Sequence, residues 1–115
     1  MLMQQAQGTD VIGLIRTQRP ELIACVLEGT LYELEKLATG SSKTARNALL
    51  AHKIAQQHLK ILSQSIHYVD DALIAYAREH KSIILTRDRQ LQKRARQENI
   101  AVLTLAANSK LHVVA

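Results

Sequence analysis

The chain has 115 residues, with 15 Lys or Arg against 10 Asp or Glu, for a formal net charge of +5 at pH 7. That length suits one domain with one core, the lone cysteine excludes an internal disulfide framework, and no apolar run approaches the roughly 18 residues that cross a bilayer. With no signal-peptide order at the N-terminus either, the protein is expected in the cytoplasm without membrane contact, and its basic charge favours a polyanionic partner as much as mere solubility.

Trp and Phe are absent and Tyr occurs three times, so the core must come from Leu, Ile, Val and Ala. Residues 4–9, QQAQGT, are polar and predict a loop. Asp10 predicts an N-cap for a short helix through Arg16, with Val11, Ile12, Leu14 and Ile15 on its apolar side and Pro20 stopping it. Residues 21–26 predict a mostly buried strand, in which Cys25 is expected as a small buried hydrophobe rather than a nucleophile. Thr30 and Glu33 have the spacing of a capping box opening a helix to Ala38, and Gly40 sits where a left-handed residue would end it. A longer helix is predicted over 43–58, with Ala45, Leu49, Ile54 and Ala55 near one face, followed by a strand over 59–63.

The segment from Val69 to Leu105 carries the clearest pattern. A helix begins at Val69 or Asp70 with Leu73, Ile74 and Ala77 on its inner face. Ser82–Thr86, SIILT, reads as a strand buried on both faces, as in a parallel sheet. A basic helix over 87–97, a strand over 101–105 and an edge strand over 111–114 complete the chain. Strands alternating with helices predict an α/β fold, a central parallel sheet layered by helices on both faces, with right-handed crossovers.

Acidic residues stand where strands hand over to helices, the edge at which open α/β sheets place ligands. Asp88 follows SIILT; Asp70 and Asp71 open the preceding helix. Each is expected, taken alone, to cap its helix or oppose the helix dipole. Side chains of adjacent helical residues diverge by roughly 100°, so one of the Asp pair at most points at a shared centre. Together with Glu33 they form a set of hard oxygen donors which, lacking a basic partner, would repel one another unless neutralised by Mg2+ or Mn2+. Arg87, Arg89, Lys93, Arg94 and Arg96 are packed into ten residues around and after Asp88 and face either solvent or phosphates. That basic helix offers no aromatic stacking for bases, so any nucleic-acid contact it makes is expected mostly at phosphates. His52, His58, His67 and His80 lack zinc spacing and are expected at the surface; only His67, just before the acidic pair, is placed to line a site.

The segment DDALIAYAREHKSIILTRDRQLQKRARQENIAVLTL resembles the second half of a PIN domain, with closest likeness to archaeal PIN proteins related to rRNA-processing endonucleases. Asp71 matches the family's acidic pair before an Ala-rich helix, and Thr86-Arg87-Asp88 its T-x-D strand end. Upstream, LYELEKLATG resembles the E-L-E-x-L helix, putting Glu33 at its carboxylate, with Glu35 the second choice. The resemblance covers most of the chain and implies a single PIN-like domain, residues 1–115, acting as a metal-dependent endoribonuclease on RNA. It implies Glu33, Asp71 and Asp88 as catalytic metal ligands with Asp70 beside them, Thr86 as a supporting hydroxyl, and Arg87, Arg89, Lys93 and Arg94 on the RNA backbone. The family's first strand, ending Asp-Thr-Asn, has no counterpart here, which implies an N-terminally truncated fold. Weaker cation affinity would follow, as would lower stability or repair by strand exchange in a homo-oligomer. A toxin ribonuclease with an antitoxin, an rRNA-processing nuclease with a ribosome-assembly partner, and a non-catalytic RNA- or protein-binding module are the competing roles.

Overall fold

The computed structural model describes residues 1–64, 67–108 and 110–114. They belong to two compact units, Met1–Gln64 and Ser65–Ala115.

The first unit contains α1 (Leu2–Ala6), α2 (Val11–Gln18), β1 (Cys25–Leu27), α3 (Glu28–Leu37), α4 (Lys43–His58) and β2 (Lys60–Leu62). β1 and β2 pair in parallel, Val26 opposite Ile61. The expected loop over 4–9 is largely helix, because Leu2, Met3 and Ala6 share a side that packs on the core of this unit. Tertiary burial thus outweighs the polar character of the Gln residues between them. α2 starts as read, with Asp10 accepting the Gly13 N–H, and ends two residues beyond Arg16, before Pro20.

Three expectations here are corrected. Cys25 is exposed: it opens the three-residue β1, in which only Val26 and Leu27 are buried. The Thr30–Glu33 capping box does not form: α3 already begins at Glu28, and its N-cap Leu27 makes no side-chain cap bond. Gln64 serves that helix start instead. Its Oε1 accepts the Gly29 N–H at 3.0 Å, and its own N–H donates to Glu28 Oε1 at 3.0 Å. A Cβ on Gly29 would lie 2.7 Å from that Oε1, so a side chain there would push the Gln64 amide away from the helix start. Finally, α4 keeps its bounds and its Ser42 cap, but the buried face is Ala45, Ala48, Ala51 and Ala55, while Leu49 is exposed. Small side chains let α4 lie close to its neighbours, where Leu49 would not fit.

The second unit contains α5 (Val69–His80), β3 (Ile84–Leu85), α6 (Arg89–Gln97), β4 (Val102–Leu105) and β5 (Leu111–Val113). β3 pairs in parallel with β4, and β5 joins β4 antiparallel. Ile74, Ala77, Ile84, Leu91, Ala95, Ile100 and Val102 form the core, with Leu73 and Val114 against it. Every element read from the sequence is present, trimmed by one to three residues at its ends. SIILT is not buried on both faces: Ile84 is buried and Leu85 half-buried, because β3 is the outer strand of its sheet.

The α/β character therefore holds, with parallel pairing in both units. Of the expected three-layer fold around one central parallel sheet, the described residues show only short sheets. Their strands divide into a two-stranded and a three-stranded sheet, and β2 and β3, which precede the acidic pair and Asp88, belong to different ones.

Candidate functional site

Asp88 is the most firmly placed of the acidic residues. Thr86 leaves β3 with its N–H still bonded to Leu103 O at 3.1 Å. Its Oγ1 then accepts the Asp88 N–H at 3.1 Å, and its carbonyl accepts from Gln92 Nε2 at 2.8 Å. Those bonds fix the turn. Asp88 Oδ1 accepts the Gln90 and Leu91 N–H groups at 2.9 and 3.3 Å, capping α6. The second oxygen, Oδ2, takes no partner among the described residues, so a capping carboxylate can still donate to a cation.

Asp70 and Asp71 occupy the first turn of α5, where negative charge opposes the helix dipole. Asp70 is exposed and without a bonded partner among the described residues. Asp71 is not free of basic neighbours as the sequence suggested: Arg94 Nη1 lies 2.5 Å from its Oδ1, both side chains nearly half exposed. Arg94 was expected to face RNA; here it answers Asp71, because α5 and α6 share the core of this unit and bring the two side chains together. Arg78 and Glu98 make a second α5–α6 ion pair.

Arg87, Arg89, Lys93 and Arg96 are exposed, with Arg89, Lys93 and Arg96 at i, i+4 and i+7 on α6 opposite buried Leu91 and Ala95. That face is solvated, unpaired among the described residues and positive. Glu33, in the first unit, is exposed on α3 between buried Leu31 and Leu34, with no bonded partner among the described residues. Glu35 is engaged by His52 Nε2 at 3.1 Å. Within each unit, no three His, Cys, Asp or Glu side chains among the described residues are grouped to hold a metal ion.

Residues that the sequence did not disclose stand beside these. Gln5, Asp10, Ile12, Gly13, Arg16, Ile54 and His58 line a groove of about 420 Å³ in the first unit. Its carboxylate is committed to structure: Gln5 Nε2 donates to Asp10 Oδ1, while Gln5 Oε1 accepts the Ile12 N–H. The Gln5 amide, and then the Gly13 N–H, hold the Asp10 carboxyl below its ordinary value. In the second unit Tyr68, at the N-cap of α5, is exposed beside His67. The pattern that could have flagged it is plain afterwards: one of three tyrosines in a chain without Trp or Phe, two residues before the acidic pair.

No curated protein matches the chain. A family model described as a PIN like domain matches residues 3–108.

Proposed function

The chain belongs to the PIN-like domain family, a nuclease-type fold, and from that premise we propose that it is a divalent-metal-dependent endoribonuclease. The observation that carries this reading is the turn at the end of β3. There Asp88 presents an oxygen without a partner among the described residues, Thr86 fixes its position, and a helix with an exposed basic face begins at once. A family match running through both units favours treating them as one domain.

The donor set fits a hard dication. Asp71 already holds a cation in the guanidinium of Arg94, and Asp88 keeps Oδ2 available. Asp71 and Asp88 would hold Mg2+ or Mn2+, with Asp70 in reserve. Bound there, the ion would polarise water and offset charge on the phosphoryl oxygens. Arg87, Arg89 and Lys93 bind and orient the RNA backbone, which sets register without reading sequence. Thr86 keeps the Asp88 carboxylate in place. The likeness of LYELEKLATG and TRD to archaeal rRNA-processing relatives favours RNA processing over a toxin role.

A second reading has its own observation. Asp88 caps α6 and Asp71 pairs with Arg94, so both are accounted for in a purely structural, RNA-binding module. Cleavage of single-stranded RNA with and without Mn2+, by the whole chain and by Asp88→Asn, separates the two. Asn caps a helix about as well as Asp, so the variant folds. The nuclease reading expects metal-dependent cleavage that Asp88→Asn abolishes. Cleavage indifferent to metal and to Asp88→Asn would sink it.

A further inference from the structure

We infer that Tyr68 is a stacking platform for one unpaired base of RNA held at the start of α5. The inference rests on the ribonuclease reading and adds to it a residue that holds a base rather than a phosphate.

The three tyrosines differ in what covers their rings. Tyr76 is stacked on His80, centroids 4.1 Å apart and planes 19° from parallel. Tyr32 carries Lys36 Nζ 4.4 Å from its ring centroid. Tyr68 has neither a stacked ring nor a cation over it among the described residues, and it is 70% exposed, the most of any tyrosine. Its contact is with the His67 ring, 5.1 Å away at 74°, an edge arrangement that steadies the rings without sandwiching them.

Its position is fixed by the helix it precedes. Tyr68 is the N-cap of α5, extended at φ −82° and ψ 130°, and its carbonyl accepts the Ala72 N–H at 2.9 Å. Asp70 and Asp71 follow within one helical turn, so the backbone of Tyr68 and that of Asp71 lie about 4.5 Å apart along the axis. A nucleotide whose phosphate lies by Asp71 therefore has an aromatic surface within reach of its base. Every base has a π-face, so such a platform is tolerant of sequence. It does demand that the base be unpaired, because bases in a duplex are already stacked and turned inward. Tyr68 thus selects single strands and loops over helices, which the phosphate contacts of α6 cannot do.

The test is the affinity of the full chain for a fluorescein-labelled single-stranded RNA, measured by anisotropy at fixed salt with chelator present to prevent cleavage. Tyr68→Ala should weaken binding about 10-fold, the scale of one base–aromatic stack, while Tyr68→Phe stays within about 2-fold of wild type. The Tyr68→Ala loss should vanish on an RNA of abasic nucleotides and on duplex RNA. With three Tyr and no Trp in the chain, binding should also quench intrinsic tyrosine emission, and less so in Tyr68→Phe. Equal affinity of Tyr68→Ala and wild type for base-bearing RNA overturns the stacking role, as does an equal loss on abasic RNA, while both leave the nuclease reading standing. No binding of any RNA by wild type overturns both.

Discussion

Helix α4 in the first unit buries Ala48, Ala51 and Ala55 completely, whereas α5 in the second buries Ile74 between Ala72 and Ala77. The first unit gains its contacts from close approach of helices whose facing side chains are small. The second fills its interior with branched aliphatics, Ile74, Ile84, Ile100 and Val102. The helix starts differ in the same way. In the first unit two of them depend on glutamine side chains, Gln64 for α3 across 35 residues and Gln5 for α2 across seven. In the second, α6 is closed by Thr86 and Asp88 within a few residues. Asp10 and Ser42 also cap α2 and α4 locally. What sets the first unit apart is therefore the added long-range glutamine contacts and its small-residue helix faces, and what sets the second apart is apolar volume.

The sharpest way to break that comparison is to exchange size for space in each core. Ile74→Ala leaves a cavity at a side chain 1% exposed and should cost roughly 2–5 kcal/mol. Ala51→Leu forces extra methyl groups where α4 meets its neighbours and should cost about 1–3 kcal/mol. Urea unfolding of the two variants reads both. A larger loss for Ala51→Leu, with Ile74→Ala almost neutral, would show the contrast between the cores to be misdrawn.

The same contrast explains what could be read from the sequence. In the second unit periodicity places each helix and strand, and Asp88 is legible as a cap because its partners are its own neighbours. In the first unit the Thr30–Glu33 pair imitated a capping box, but the partner of that helix start is Gln64, which no local spacing could reveal. Leu2, Met3 and Ala6 formed a helix for the sake of a core that becomes visible only after folding. Leu49 was expected inside and lies outside, since a face of alanines gives a weak signal beside a leucine. At the candidate site, the types and order of the carboxylates were legible. The Arg94 partner of Asp71 was not, because it depends on how α5 and α6 lie together.

A smaller effect sharpens the difference between the two capping aspartates. Asp10 receives Gln5 and Gly13, and its carboxyl is held below the ordinary value of 3.8, first by the Gln5 amide and then by the Gly13 N–H. A carboxyl lowered in the folded state favours folding above its ordinary value, and that contribution fades as pH falls through the folded value. Asp10→Asn keeps the cap but removes the charge. Its stability should match wild type more closely at pH 2 than at pH 5, as read from the difference between thermal unfolding curves across that range. A constant difference would mean that the charge of Asp10 takes no part in the cap.

The smallest change in stability, and the most telling for function, comes from Arg94→Met. Both partners of the Arg94–Asp71 pair are nearly half exposed, and exposed ion pairs contribute at most about 1 kcal/mol, so the fold should barely register the loss. Cation binding should register it clearly. If Asp71 is a metal ligand, the guanidinium competes for its oxygens, and its removal relieves roughly 1 kcal/mol of repulsion at contact distance in water, about 5-fold in affinity. Mn2+ titrated into the ¹⁵N-labelled protein should then broaden the amides around Asp71 and Asp88 at lower concentration in the variant than in wild type. Were the variant to bind Mn2+ no better, Asp71 would be a structural partner of α6 and nothing more. The pairing that steadies the second unit is, on this reading, also the contact that an incoming ion must displace, and an RNA phosphate drawing Arg94 away would make that displacement easier.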